Sequence, residues 1–209
     1  MIQEELNNIL KQKIIPVYSH AETGMNKKVL SACFHAGLRY FEFTNRHENA
    51  LDEFYDLKKY CDTVLPGMIL GAGTIKNVQH AEMFLAAGAA FLVSPLISQE
   101  LIGFAKNKNI PWIPGCATAS EVGLAENNGL NIVKIFPAKQ LGGPAYIQAL
   151  KGPFPSINFL ATGGIGGDGS GIKEYLTVAG AVGLGNAFFS DEMTEEQLTN
   201  ELKTVLSNC

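Results

Sequence analysis

A lysine inside an apolar run, Ile132-Val133-Lys134-Ile135-Phe136-Pro137, is the side chain here best placed for covalent chemistry. In an extended segment side chains alternate, so Ile132, Lys134 and Phe136 share one face and Val133 and Ile135 the other. With both faces otherwise apolar, the run predicts a strand covered on two sides, as in a parallel sheet flanked by helices. Desolvation disfavours the charged form of a lysine, and a neutral amine attacks carbonyl carbon to give a Schiff base. The same residues also allow a lysine at a strand end, its stem carrying the ammonium to solvent.

Other polar groups are spaced to meet this amine. In Tyr40-Phe41-Glu42-Phe43-Thr44-Asn45-Arg46 alternation sets Tyr40, Glu42 and Thr44 opposite Phe41 and Phe43. Glu42 therefore faces inward if the phenylalanines face helices, and it could move protons directly or through a water. Arg46, just past that strand, offers a planar fork suited to a carboxylate, with the Thr74 hydroxyl of Gly71-Ala72-Gly73-Thr74 beside it. A structural Glu–Lys ion pair with a solvated Arg46 is the competing reading. Thr162-Gly163-Gly164-Ile165 and Gly183-Leu184-Gly185-Asn186 close two later strands, and such glycines either bring backbone amides up to an anion or simply turn the chain. The run 166–171, Gly-Gly-Asp-Gly-Ser-Gly, either closes over the mouth or connects.

Positioning these groups requires the elements around them. Short apolar runs at 14–19, 39–44, 68–73, 91–95, 112–116, 132–137, 158–162 and 181–185 predict eight strands. Amphipathic stretches between them, for example 26–36, 48–60, 78–87, 99–106, 119–127 and 171–177, predict helices. A further helix before the first strand would cover a barrel floor, and a last one at 194–206 begins with a Thr194/Gln197 capping box. Gly37, Gly88, Gly129 and Gly180 suit left-handed helix ends. This alternation implies parallel strands with right-handed crossovers, and eight of them fit a closed (β/α)8 TIM barrel with an extra N-terminal helix. No strand leads into GxGxxG, as an open dinucleotide-binding sheet would require. No linker divides the chain, so residues 1–209 read as one domain, short for a fold of roughly 250 residues and hence tightly looped.

Composition narrows the partners. With 46% apolar residues and a net charge of -4, the chain can bury a full core and carries no basic footprint for nucleic acid. The cysteines, Cys33, Cys61, Cys116 and Cys209, lack CxxC spacing, and no clustered His/Asp/Glu set suggests a metal site. Cys33 reads as a core residue and Cys116 as packing rather than site lining. No run approaches the ~18 apolar residues of a membrane span, and the N-terminus lacks a signal-type apolar segment. These features predict a cytoplasmic protein with reduced thiols, no metal, no membrane partner and a small-molecule ligand.

Over residues 14–189 the chain resembles the 2-keto-3-deoxy-6-phosphogluconate/4-hydroxy-2-oxoglutarate aldolase family, class I lyases with a small (β/α)8 fold. The resemblance is carried, in order, by Gly37-Leu38-Arg39-Tyr40-Phe41-Glu42-Phe43-Thr44-Asn45-Arg46, Gly71-Ala72-Gly73-Thr74, Phe91-Leu92-Val93-Ser94-Pro95, Ile113-Pro114-Gly115, Val133-Lys134-Ile135-Phe136-Pro137-Ala138 and Thr162-Gly163-Gly164-Ile165. It implies that Lys134 forms the Schiff base, Glu42 is the general acid/base, and Arg46 and Thr74 hold the pyruvate carboxylate. It also implies that Phe136 packs beside the pyruvyl carbons, and that Gly163 and Gly164 help bind a phosphate in a region shared with Thr162, Gly185 and Asn186. No cofactor is implied, and members commonly form homotrimers.

Three departures concern the distal end of the substrate. Asn186 stands where members often carry a serine, Pro16-Val17-Tyr18-Ser19-His20 lacks their strand-one arginine, and the segment after Ile165 is about two residues longer, a cheap change in a loop. The expected reaction is reversible cleavage of 2-keto-3-deoxy-6-phosphogluconate to pyruvate and glyceraldehyde 3-phosphate, as in Entner–Doudoroff carbohydrate metabolism. Alternatives are a 4-hydroxy-2-oxoglutarate or galactonate-series aldolase, an oxaloacetate decarboxylase, a catalytically silent phosphosugar-binding barrel, or a sugar-phosphate isomerase or epimerase.

Overall fold

Nine short parallel strands are wrapped by nine helices in the computed structural model, which describes residues 2–165 and 171–209. The strands are β1 (Ile14–Tyr18), β2 (Tyr40–Thr44), β3 (Ile69–Gly73), β4 (Leu92–Val93), β5 (Trp112–Ile113), β6 (Gly115–Cys116), β7 (Ile132–Ile135), β8 (Asn158–Thr162) and β9 (Ala181–Leu184). The helices are α1 (Ile2–Lys11), α2 (Thr23–His35), α3 (Ala50–Val64), α4 (Val78–Ala86), α5 (Gln99–Lys108), α6 (Ala119–Asn127), α7 (Gly143–Lys151), α8 (Ile172–Leu176) and α9 (Glu195–Ser207). A single 3-10 turn, Asn186–Phe188, follows β9. Most of the glycine-rich run 166–171 lies outside the described residues.

The strands hydrogen-bond in the order β5-β4-β3-β2-β1-β9-β8-β7-β6. The two end strands are consecutive in the chain, so the ring closes through the chain itself. The expected single strand 112–116 is broken at Pro114, which has no N–H for a ladder. Before the proline, β5 pairs with β4, and after it β6 pairs with β7. The Pro114 carbonyl still accepts from the Lys134 amide at 2.8 Å, so the break sits directly beside the inward lysine. Eight barrel positions therefore carry nine ladder segments, and the TIM-like (β/α)8 architecture stands.

Period-two alternation divides the core in two. Ile15, Val17, Tyr40, Phe91, Val93, Ile113, Ile132, Leu160 and Ala181 fill the inside of the ring, while Phe41, Phe43, Val133 and Ile135 pack outward under the helices. Gly71 makes this filling possible, since a Cβ there would lie 2.3 Å from the Phe91 ring. α1 closes the lower end with buried Leu6 and Ile9 in the inner cluster. Gln12, after α1, ties the floor to β2: its Oε1 accepts from the amides of Arg39 and Tyr40 at 2.6 and 2.8 Å, and its Nε2 donates to the Tyr40 carbonyl at 2.8 Å. Cys33 and Cys116 are both buried on the outer side, so Cys116 packs and does not line the mouth.

The Thr194/Gln197 capping box is present, with bonds of 2.8 and 3.2 Å. Gly37, Gly88 and Gly129 have φ of 102°, 98° and 76°, as left-handed helix ends require. Gly180 does not: α8 stops at Leu176, and Gly180 is not left-handed. α7 is a helix beyond the examples named above, and it starts at Gly143-Pro144. Pro144 in the first turn is a favourable helix start, since its missing N–H would have no partner there. Among the described residues no helix is long and apolar enough to cross a membrane.

Candidate active site

Lys134, central in β7, points into the ring with only 5% of its surface exposed. Glu42, central in β2, points inward from across the barrel and is fully buried. The ammonium nitrogen donates to Glu42 Oε1 at 3.0 Å and Oε2 at 3.3 Å. The lysine therefore does not carry its charge out to solvent. A charge pair so deeply buried is a poor stability device, because desolvation offsets most of its Coulomb gain.

The strands around the pair leave room for it. A Cβ on Gly73 of β3 would sit 2.1 Å from Glu42 Oε1 and 2.7 Å from its Cγ and Cδ, so the carboxylate occupies the volume a side chain would fill. Gly183 does the same for Thr162, whose Oγ1 would be 2.3 Å from an added Cβ. Gly71 and Gly73 share the inward face of β3, and a glycine pair at period two is the signal in the sequence that would have revealed this packing role.

Above the pair opens a cavity of about 470 Å³ lined by Val17, Arg46, Thr74, Pro95, Phe136, Thr162, Gly163, Gly164, Ile165, Gly183, Gly185, Asn186 and Ala187. Every candidate binding residue from the sequence is among them: Arg46, Thr74, Phe136, Thr162, Gly163, Gly164, Gly185 and Asn186. All come from the carboxyl ends of strands, where barrels of this type place their chemistry. Phe136 is one inward position above Lys134, with the amine 5.7 Å from its ring centre. Thr74 is held at φ 60°, a left-handed geometry that costs a β-branched residue of order 1–3 kcal/mol and is common where a side chain must be aimed. Arg46 is exposed and makes no ion pair with any described residue.

Thr162 carries a loose end. Its side-chain oxygen is buried, lines the cavity and has no hydrogen-bond partner among the described residues. Two of the three departures at the distal end touch: Asn186 Nδ2 donates to the Ser19 carbonyl at 2.9 Å. Ser19 in turn pairs with the Thr44 hydroxyl at 2.6 Å, one inward position above Glu42. Tyr18 points away from the cavity into the outer layer, edge-on to Phe189, and burial with the nearby Asp191 charge pushes its hydroxyl up to about 12. Among the described residues no three His, Cys, Asp or Glu side chains gather as a metal site.

This arrangement can hold a small keto acid against a buried amine, with a carboxylate in contact with that amine and a guanidinium above. The family model for KDPG and KHG aldolase matches residues 6–205. The 2-dehydro-3-deoxy-phosphogluconate aldolase of Treponema pallidum is 35% identical over 73% of this chain and 71% of its own. The KHG/KDPG aldolase of Escherichia coli K12 is 36% identical over 73% of this chain and 68% of its own. Among solved structures, the 2-keto-3-deoxy-6-phosphogluconate aldolase of Zymomonas mobilis ZM4 with 3-phosphoglycerate aligns with TM-score 0.87 at 25% identity, covering 98% of this chain and 96% of that one. The KDPG aldolase of Legionella pneumophila, with pyruvate captured as a covalent carbinolamine, aligns with TM-score 0.84 at 28% identity over 97% of both chains. With fold, inward amine and family model in agreement, this chain belongs to the KDPG and KHG aldolase family, a family of lyases.

Proposed function

We propose that this pyruvate aldolase reversibly cleaves 2-keto-3-deoxy-6-phosphogluconate to pyruvate and glyceraldehyde 3-phosphate through a Schiff base on Lys134. The carrying observation is the 3.0 Å contact between the Lys134 amine and Glu42 inside the ring, beneath a cavity bearing Arg46 and Thr74. Glu42 is positioned to take the ammonium proton, leaving a neutral amine that adds to the C2 ketone. Glu42 returns that proton to the carbinolamine hydroxyl, which leaves as water to give a protonated imine and a carboxylate again, and the imine accepts the electron pair of the C3–C4 bond as it breaks. Glu42, directly or through that water, takes the C4 hydroxyl proton, and the aldehyde leaves. Protonation of the enamine at C3 and hydrolysis of the imine return pyruvate and the free amine. The iminium supplies the electron sink, so the reaction as drawn calls for no cofactor.

Arg46 and Thr74 are assigned the C1 carboxylate, Phe136 the pyruvyl carbons, and Thr162 a substrate hydroxyl. Gly163, Gly164, Gly185 and Asn186 are assigned the phosphate. Among the described residues, the amides of Gly164 and Asn186 donate to no backbone carbonyl, which leaves them available to an anion. The 3-phosphoglycerate of the Zymomonas structure and the captured pyruvate of the Legionella structure support the two ends of this reading. A cytoplasmic homotrimer is the accompanying proposal, from the family resemblance. Incubation with pyruvate followed by borohydride should leave a mass adduct on Lys134, and an unmodified protein would refute the mechanism. Pyruvate release should be fastest from the 6-phosphorylated gluconate-series substrate; a wide preference for 4-hydroxy-2-oxoglutarate or an unphosphorylated acid would refute the substrate.

A further inference from the structure

A phosphate held only by backbone amides would keep most of its charge unbalanced, yet among the described residues lining the cavity Arg46 is the only cation. It follows β2, while the Gly163–Gly164 turn follows β8 on the other side of β1 and β9 in the sheet order. Lys139, three residues beyond Phe136, meets that turn. Its amide donates to the Gly163 carbonyl at 3.0 Å, and its own carbonyl accepts from Gly142 at 3.2 Å, so its backbone is pinned. Its stem lies across Gly164: a Cβ there would meet Lys139 Cβ at 2.6 Å and Cδ at 3.0 Å. Gly164 has φ 73°, and it is the glycine that lets the lysine stem approach. The ammonium, two bonds past Cδ, can therefore lie no farther than about 7 Å from the turn, within range of Coulomb attraction to an anion there. Among the described residues it makes neither an ion pair nor a hydrogen bond. His20, at the end of β1, is already engaged, its Nδ1 accepting from the Glu22 amide at 3.0 Å and its Nε2 lying 3.6 Å from Asp191.

We propose that Lys139 is a specificity-determining residue that supplies the positive charge for the distal phosphate of the substrate. The inference rests on the aldolase reading above and adds the group that distinguishes phosphorylated from unphosphorylated acceptors. An exposed lysine contacting a dianion at the rim acts on binding and weakens with salt, because mobile ions screen it. The test is aldol addition of pyruvate to glyceraldehyde 3-phosphate and to glyceraldehyde, measured for the wild type and for Lys139→Glu, Lys139→Arg and Lys106→Glu. Lys106, near the end of α5 and bonded to Asn128, changes the net charge equally at a remote place.

The ratio of kcat/KM for the phosphorylated over the unphosphorylated acceptor should fall at least tenfold in Lys139→Glu, through KM for the phosphorylated acceptor. It should recover in Lys139→Arg, stay within twofold in Lys106→Glu, and converge toward wild type at 0.5 M salt. A ratio within twofold of wild type in Lys139→Glu, or an equal fall in Lys106→Glu, overturns the role of Lys139. Wild-type protein that forms no carbon–carbon bond with either acceptor overturns the aldolase reading instead, so the two failures are separable.

Discussion

Substituting Gly73 by alanine tests whether the position of the Glu42 carboxylate matters, without touching Glu42 or Lys134. The added methyl would lie 2.1 Å from Oε1, whereas ordinary contact begins at 3.4 Å, so the carboxylate must retreat by about 1.3 Å. The backbone at Gly73 is not left-handed, so alanine adds no conformational strain of its own. A retreat of that size breaks the 3.0 Å contact with Lys134 and moves the proton acceptor out of line with the reacting atoms. Misplacement by about 1 Å costs on the order of 10²-fold in rate, equivalent to roughly 2.7 kcal/mol of barrier. Overpacking should also lower stability by about 1–3 kcal/mol, or very roughly 2–10 °C in Tm for a domain of this size. The assay is pyruvate release in steady state beside borohydride trapping of pyruvate, since Lys134 remains and the adduct should still form. Gly71→Ala, whose methyl would meet the Phe91 ring at 2.3 Å, is the control, with similar loss of stability and a much smaller loss of kcat. Activity of Gly73→Ala within threefold of wild type would show that proton transfer does not depend on Glu42 being where the structure puts it.

Lys134→Met should abolish turnover and the borohydride adduct, and should destabilise by about 3–5 kcal/mol by leaving fully buried Glu42 without its cation. Adding Glu42→Gln should recover most of that loss in urea titration while activity stays absent; no recovery would mean the pair's charges are not the cause. Thr162→Val removes a buried hydroxyl that has no described partner, so it should raise stability by about 1 kcal/mol while lowering kcat/KM. A drop in stability would show that the hydroxyl is satisfied in the free enzyme. At alkaline pH, burial raises the thiols of Cys61 and Cys116 from 9.0 to about 12, with smaller contributions from Asp62 and Glu121 respectively. Below pH 9 both are neutral folded or unfolded, so their contribution is constant; above it only the unfolded thiols ionise, and stability falls until about 12. The loss at pH 10 is about 1 kcal/mol per thiol, and urea midpoints at pH 8, 9 and 10 in reducing buffer, compared with Cys61→Ala, would expose a flat profile if the thiols are not buried.

Much of the machinery is legible along the chain because strands impose a period of two. Alternation alone places Lys134 with Ile132 and Phe136, and Glu42 with Tyr40 and Thr44, and the structure has each of these groups on the inner face. The strand/helix rhythm gives the barrel, and the Thr194/Gln197 box gives the start of α9, since both are encoded within a few residues. Harder to see were features where one residue serves two purposes. Pro114 ends one ladder while its carbonyl feeds another, and Gly73 ends β3 while leaving the volume that Glu42 fills.

Local pattern settles which way a side chain faces, but carries no distance between strands far apart in sequence. Lys134 and Glu42 are separated by 92 positions, and nothing in either segment states that their atoms come within 3.0 Å. That separation follows from the closure of the ring, the register of Glu42 beside Gly71, and the space left by Gly73. The bond from Asn186 to Ser19 and the lie of the Lys139 stem over Gly164 likewise belong to no single element. They arise where loops from different strands converge, and long-range packing sets their geometry because no short-range interaction constrains it.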